Sequence, residues 1–167
     1  VEIVWSGCGT FSYCHPLRVL VHLGPLKVLA LVDTGSDFDA IDFDLAKIQR
    51  EKGNEAFRNS AVLAIAMPVT GFSSAMKTDT STTSRWAVTV TGLPNFKGPQ
   101  ETRCEEVVFN EFHNLGDPLI FGMTFFDRWG GLEFTAKHVW MAGLWVHRWK
   151  KSYDCSESAV SSISVLE

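Results

Sequence analysis

The chain has 167 residues, of which 46% are hydrophobic and 12% aromatic, enough for one domain with a core and too apolar for a disordered chain. With a formal net charge of −4 and no dominant basic patch, the sequence argues against a nucleic-acid partner. No apolar run approaches the ~20 residues of a membrane-spanning helix, so no membrane partner is expected either.

The first regular elements are two strands that form a hairpin. Residues 17–23 are rich in branched apolar side chains, which favour a strand, and a Gly-Pro turn signal follows at Gly24. Residues 27–32 are nearly all apolar and predict a second strand, buried on both faces. The predicted hairpin therefore runs directly into Asp33.

The rest of the chain predicts further strands and two short helices. Residues 38–43 alternate and predict a short strand, and residues 45–52 are helix formers with Asp44 as the N-cap. Residues 123–129 predict a second helix that ends at a Gly-Gly pair, and residues 93–103 a loop. The remaining predicted strands are short apolar or β-branched runs: 61–69, 86–91, 107–109, 119–122, 132–134 and 138–146.

The domain organisation follows from this pattern. Residues 16–147 predict one mostly β domain with one or two short helices. Residues 1–15 lack clear periodicity and are interpreted as a leader or an outer strand, and the Ser-rich residues 148–167 as a tail or linker. The chain starts without Met and without a secretory leader, so we interpret it as a piece of a longer polypeptide.

The four cysteines indicate the cellular compartment. Cys8, Cys14, Cys104 and Cys155 are irregularly spaced and do not resemble a secreted disulfide framework, although a Cys8–Cys14 disulfide stays open. We interpret them as free thiols, which predicts a reducing, cytoplasmic location.

Asp33 is the candidate functional residue. A carboxylate directly after a buried strand is costly unless its neighbours compensate. Gly35 allows a sharp turn that brings backbone N–H groups near the carboxylate. The hydroxyls of Thr34 and Ser36 are available as donors to Asp33 or to a partner chain, and the preceding strand holds the turn rigidly.

Asp33-Thr34-Gly35 after an apolar strand resembles the catalytic loop of aspartic proteases. Residues 119–126, Leu-Ile-Phe-Gly-Met-Thr-Phe-Phe, resemble the Ile-Leu-Gly-Met-Asp-Phe-Leu segment of retroelement proteases, with Thr124 in place of Asp. The resemblance covers residues 16–146 and implies a retropepsin fold, a closed or bent β-barrel-like half of an acid protease. It also implies that the strand carrying Ile120 and Gly122 passes beneath the loop of a catalytic Asp33.

The resemblance implies a homodimer as well. Aspartic proteases use two carboxylates about 3 Å apart that share one proton. Asp79 is the nearest second candidate, but its Ser/Thr-rich surroundings predict a solvated loop that cannot prepare such a site. The second carboxylate is therefore expected from Asp33 of another copy across a two-fold axis.

A lid over the substrate is implied between the first helix and the strand at 86–91. We place its tip at Thr70, Gly71 and Phe72, with a Ser/Thr-rich return arm. Ser36 adds a hydroxyl where Ala is common, and a hydroxyl donor to the ionised dyad predicts an acid-shifted pH optimum.

No metal or cofactor is expected. The acidic run lacks the Gly and the terminal Glu of an EF-hand loop and is interpreted as a solvated strand face: Asp37, Asp39, Asp42 and Asp44. Cys8, Cys14 and His15 hint at zinc, but no second ligand pair follows.

The functional hypothesis is an aspartic endopeptidase that processes a retroelement polyprotein. Two alternatives stay open. One is a cellular retropepsin-like domain of a ubiquitin-linked shuttle protein, and the other is a catalytically silent dimerisation or peptide-binding module with the same fold.

Overall fold

The computed structural model describes residues 16–68, 79–94 and 100–149. Within these ranges the first half of the domain contains β1 Arg18–Leu23, β2 Leu26–Val32, β3 Ala40–Asp42, α1 Phe43–Glu51, β4 Phe57–Pro68 and β5 Asp79–Thr91. The second half contains β6 Thr102–Phe112, β7 Leu119–Phe121, α2 Met123–Arg128, β8 Glu133–Phe134, β9 His138–Met141 and β10 Leu144–His147.

Six strands close into a barrel of mixed strand direction. They follow one another in the order β1-β2-β7-β3-β6-β5, and β5 returns to β1 where His22 lies opposite Thr89. The β2–β7 and β3–β6 pairs are parallel and the others antiparallel. β4 extends the sheet beyond β5. The prediction of a mostly β, barrel-like domain with one or two short helices is confirmed, and the described residues contain two.

The barrel interior holds the main hydrophobic core, because alternate residues of each strand point inward. On β1 these are Val19, Val21 and Leu23, all fully buried, and the largest fully buried side chain is Trp86 of β5. β2 alternates as well, with Leu29 and Leu31 only half-buried. The expectation that β2 is buried on both faces was wrong, because on its outer face Lys27 is exposed and Leu29 and Leu31 are only half-buried.

A second, smaller apolar cluster lies apart from the main core. It consists of Ala40, Phe112, Leu115 and Ile120, with the half-buried Leu31 and Phe38 packed against it. Phe38 and Phe112 stack with ring centroids 6.2 Å apart. Since Phe38 follows Asp33 by five positions, the cluster supports the outer side of the loop that contains Asp33.

Three strands form a separate small sheet in the order β10-β9-β8. The β9–β10 turn places Ala142 and Gly143 at φ 51° and 76°, the paired left-handed geometry that tight hairpin turns require. Beyond β10 the chain returns to the barrel, where the Trp149 N–H donates to the Arg18 carbonyl at 2.9 Å.

Several predicted boundaries were wrong for a common reason. β5 begins at Asp79, inside the predicted Ser/Thr-rich loop, and β6 begins at Thr102, inside the loop predicted at 93–103. β5 pairs with β4 from Asp79 opposite Pro68, and with β6 from Thr83 opposite Asn110 to Thr91 opposite Thr102. This long antiparallel pairing satisfies the backbone hydrogen bonds and outweighs the local polar composition. Helix α1 is capped by Asp42, two residues earlier than predicted, since its carboxylate accepts the Leu45 N–H at 3.2 Å.

One ion pair ties α1 to the barrel. Arg50 donates from Nη1 to Oε2 of the buried Glu111 on β6 at 2.7 Å. Replacing Arg50 with Met is expected to lower the free energy of unfolding by about 3 kcal/mol, because the Glu111 carboxylate stays buried without this guanidinium.

Urea denaturation at pH 7 checks this, with Arg58→Met as the matched control. Arg58 pairs with Glu106 on the surface, and such exposed pairs contribute less than about 1 kcal/mol. Equal losses in the two variants would contradict the expectation.

Candidate active site

Asp33 stands at the carboxyl end of β2, at the point where β2 and β7 part. The two strands run parallel with Val32 opposite Phe121, and the Asp33 N–H donates to the Phe121 carbonyl at 3.0 Å. The side chain is half-buried. Two central barrel strands therefore fix the backbone of this carboxylate while leaving the carboxylate accessible to solvent.

The turn after Asp33 brings a backbone donor to its side chain. The Gly35 N–H donates to Asp33 Oδ1 at 2.9 Å, and the Ser36 N–H donates to the Asp33 carbonyl at 3.1 Å. A Cβ on residue 35 would lie 3.2 Å from Asp33 Oδ1. Gly35 thus supplies the close amide approach that the sequence predicts. The Thr34 side chain is exposed and faces away from the core.

Ser36 has a different role from the predicted one. Its side chain is 3% exposed, and its hydroxyl donates to the Phe38 carbonyl at 2.7 Å. The single hydroxyl proton is therefore used within the loop and is not donated to Asp33. The predicted hydrogen bond from this hydroxyl to the dyad was wrong, so Ser36 gives no reason to expect an acid-shifted pH optimum, and it instead stiffens the loop.

Gly122 lies directly beneath the loop. A Cβ on this residue would lie 2.5 Å from the Phe38 carbonyl oxygen and 2.6 Å from that of Ser36, closer than real Cβ contacts. The next residue, Met123, donates its N–H to the Ser36 carbonyl at 2.8 Å. Ile120 is buried on β7 opposite Leu31. The two residues predicted from the second motif, Ile120 and Gly122, therefore lie against the loop.

Thr124 provides another tie to the loop. Its hydroxyl donates to the carbonyl of Asp37. The Thr that stands in place of the usual Asp thus keeps a polar contact between α2 and the loop.

Asp39 is the residue at this site that sequence reasoning missed. It is 4% exposed, and its Oδ1 accepts the Gly122 N–H at 2.8 Å. Burial raises the pKa of Asp39 to about 6, against the opposing effect of the Gly122 and Phe125 N–H groups. The solvated-face interpretation was wrong for this residue, because the segment entering β3 runs between β6 and the start of α2, where the Asp39 carboxylate meets the Gly122 N–H.

The other acidic residues of the run are placed differently. Asp37 and Asp44 are exposed, as predicted, and the half-buried Asp42 caps α1. Burial is the main cause that raises the pKa of Asp42, opposed by the Leu45 N–H.

The raised pKa of Asp39 predicts a pH dependence of stability. The folded chain binds a proton that the unfolded chain has released between the unfolded pKa of 3.8 and the folded pKa of about 6. The stabilisation is complete below 3.8 and is lost as the pH rises through about 6. Urea denaturation from pH 4 to 7 should show a steeper decline in the wild type than in Asp39→Asn, and parallel curves would contradict this.

The other predicted features lie partly outside the described residues. The predicted lid tip at Thr70, Gly71 and Phe72 lies outside the described residues, so the position of the lid stays a prediction. Cys8, Cys14 and Cys155 also lie outside them. β4 and β5 form the two arms of a hairpin, with Pro68 opposite Asp79 at the last described pair. Cys104 is exposed with a free thiol.

The described ranges hold neither a candidate metal site nor a candidate membrane-spanning helix. No cluster of three or more His, Cys, Asp or Glu side chains within them is arranged to hold a metal, and none of their helices has the length and apolarity to cross a membrane. An open concavity of about 450 Å³ lies between the β1–β2 turn and the end of α1, lined in part by Pro25, Gln49 and Asn54. None of residues 33–39 lines it.

Comparison with known proteins identifies the fold. No protein-family model matches the chain, and no curated protein sequence matches it. Solved structures do match, among them the crystal structure of the retroviral protease-like domain of Ddi1 from Leishmania major. It is 14% identical, covers 84% of this chain and 99% of that chain, and has a TM-score of 0.53. The chain therefore has a retropepsin-like fold, as the sequence resemblance predicted.

Proposed function

We propose that the chain is an aspartic endopeptidase that acts as a homodimer, with Asp33 of each copy forming the catalytic pair. The observation that carries the proposal is the placement of Asp33 in a retropepsin-like fold. The carboxylate emerges half-buried from the β2–β7 junction and accepts the Gly35 N–H. Within the described residues, no second carboxylate hydrogen-bonds to Asp33. A two-fold axis supplies one from the same position of a second chain.

The mechanism follows from two carboxylates sharing one proton. Two negative charges about 3 Å apart repel, so one carboxyl of the proposed pair carries the shared proton while the other is ionised. The ionised carboxylate takes a proton from water as the water oxygen attacks the scissile carbonyl. The protonated carboxyl donates its proton to the carbonyl oxygen and stabilises the tetrahedral intermediate. That intermediate breaks down when the carboxyl that took the proton from water passes it to the leaving amine, the C–N bond breaks, and a hydroxyl of the intermediate returns its proton to the other carboxylate.

The Gly35 N–H has a defined part in this scheme. It fixes one carboxylate oxygen of Asp33 through Oδ1, which leaves Oδ2 for the shared proton and the water. The buried Ser36 and the contact of Gly122 with the loop hold this geometry from below. No metal or cofactor takes part in the proposed reaction.

The natural substrate is a polypeptide. If the chain belongs to a retroelement, its substrate is the polyprotein of that retroelement. The likeness to the Ddi1 domain supports equally the alternative that the chain is a cellular retropepsin-like domain of a ubiquitin-linked shuttle protein. A silent module that binds peptides without turnover would keep the same fold. We further propose a reducing, cytoplasmic location, in keeping with the exposed free thiol of Cys104.

A peptide-library digest tests the proposal. The chain is incubated with mixed peptides from pH 3 to 7, and cleavage is read by mass spectrometry. Internal cleavage that is suppressed by a peptide with a hydroxyl-bearing tetrahedral-intermediate mimic is the expected result. If the mimic binds but no peptide is cut at any pH, the chain is a silent module. Cleavage that only a metal chelator suppresses would contradict the Asp33 mechanism.

A further inference from the structure

The start of α2 lacks a capping side chain of its own. Its N-cap residue is Gly122, with no side-chain hydrogen bond from that position. Any Cβ there would clash with the Ser36 and Phe38 carbonyl oxygens, so a Ser, Thr, Asn or Asp cap does not fit. The N–H groups of the first turn nevertheless need acceptors, since they have no partners within the helix.

The loop that contains Asp33 supplies these acceptors. Asp39 Oδ1 accepts the Gly122 N–H at 2.8 Å, and the Ser36 carbonyl accepts the Met123 N–H at 2.8 Å. Asp39 is the one contributor with an ionisable side chain in this set. Its carboxylate takes the place of the missing cap from a position 83 residues away in the chain.

Asp39 is also fixed on its other side. Its carbonyl accepts the backbone N–H of Asn110 on β6 at 3.0 Å, and the Asn110 side-chain amide at 3.4 Å. Asp33 is attached to Phe121 at the opposite end of the loop. Both ends of loop 33–39 are thus joined to the β7–α2 junction, one through a backbone pair and the other through a buried carboxylate.

We propose that Asp39 is a positioning residue for Asp33. Its carboxylate anchors loop 33–39 to the start of α2 through the hydrogen bond from the Gly122 N–H, and this hydrogen bond weakens when the carboxylate takes a proton. An ionised carboxylate is the stronger acceptor for a backbone N–H. The protonated acid keeps a weaker carbonyl acceptor. The effect on catalysis rests on the proposed function, whereas the effect on the loop does not.

Burial, and no neighbouring charge, is the main cause of the raised pKa of Asp39. Burial raises its pKa to about 6, and two backbone N–H groups oppose the rise. The ionisable side chains on its own segment and on the elements packed around it are Asp33, Asp37 and Asp42, then Arg103, Cys104, Glu105, Glu106 and Glu111 on β6, Asp117 before β7, and Asp127 and Arg128 on α2. None of them is among the causes of the shift. Glu111 and Asp117 are held by Arg50 and Arg18.

Backbone NMR across pH 4 to 8 tests directly whether the hydrogen bond from the Gly122 N–H to Asp39 anchors the loop. In the wild type, the Gly122 amide proton should move upfield on acidification with a midpoint near 6, as its acceptor becomes neutral. The Gly35 amide, which reports on Asp33, should show a second inflection with the same midpoint. Both changes should persist in Asp33→Asn and vanish in Asp39→Asn. A Gly122 titration without any response at Gly35 would mean a structural cap only and would overturn the proposal.

Kinetic measurements then test whether the hydrogen bond between Asp39 and Gly122 affects peptide hydrolysis. We expect Asp39→Asn to lower kcat/KM at pH 7 by roughly tenfold, because a small displacement of a catalytic group is costly. The same variant should remove the limb near pH 6 from the pH profile. Asp127→Asn, the same change at an exposed position of α2, should leave the profile unaltered. An unchanged limb in Asp39→Asn would overturn the proposal, whereas an inactive wild type with intact amide titrations would refute only the proposed function.

Discussion

Asp33→Asn is expected to lower kcat for peptide hydrolysis by about a thousandfold or more while leaving the fold intact. The amide oxygen of Asn still accepts the Gly35 N–H, which Asp33 Oδ1 accepts at 2.9 Å in the wild type. An amide neither takes a proton from water nor donates one to the scissile carbonyl, so both steps of the acid–base scheme are lost. Since each dimer contains the change twice, no intact carboxylate pair is left.

Single-turnover cleavage of a peptide found by the library digest measures this loss. Asp127→Asn is the matched control, because it makes the same chemical change on the exposed side of α2. Urea denaturation should give the same midpoint for the two variants within ordinary error for surface substitutions. An Asp33→Asn chain that still cuts peptides within a few-fold of the wild-type rate would refute the catalytic assignment.

Gly122→Ala is expected to have the largest effect on stability. The added Cβ would lie 2.5 Å from the Phe38 carbonyl oxygen and 2.6 Å from that of Ser36, both backbone atoms held in the loop. The backbone of Gly122 itself is extended, with φ −106°, so the cost arises from the close approach and not from its own conformation. We expect a loss of about 3 kcal/mol or more, at the upper end for overpacking.

The loop must move to accept this methyl group, so activity should be lost together with stability. Gly92→Ala is the matched control: Gly92 is buried too, but a Cβ there lies at least 3.4 Å from its neighbours, the nearest being the Leu144 side chain. Its cost should stay near 1 kcal/mol or less. A Gly122→Ala chain with wild-type stability and activity would contradict the close packing of Gly122 against the Ser36 and Phe38 carbonyl oxygens.

The sequence predicted the parts of the site that depend on local chemistry. A carboxylate after an apolar strand, followed by Gly, requires a turn that brings N–H groups to it, and Gly35 does so. Gly122 was found because an apolar strand ending in Gly resembles a known segment. The structure supplies the physical reason: the Ser36 and Phe38 carbonyl oxygens lie so close to Gly122 that a residue with a Cβ does not fit there.

The missed features depend on which strands meet. Asp39 belongs to an alternating acidic run that reads as a solvated face, yet the segment entering β3 runs between β6 and the start of α2 and the carboxylate is buried. The start of β5 at Asp79 follows from its pairing with β4 and β6, which the polar composition does not reveal. The hydroxyl of Ser36 likewise finds its acceptor, the Phe38 carbonyl, only once the loop is folded.

A mixing experiment tests most directly the claim that two copies of Asp33 form one site. Wild-type chain is equilibrated with a ninefold excess of Asp33→Asn chain, and peptide cleavage is measured per wild-type chain. With random exchange, about one wild-type chain in ten pairs with another wild-type chain. We therefore expect a roughly tenfold fall in activity per wild-type chain. Activity per wild-type chain that is unchanged by the excess, and equally unchanged by dilution, would show that one chain holds the whole active site and would contradict it.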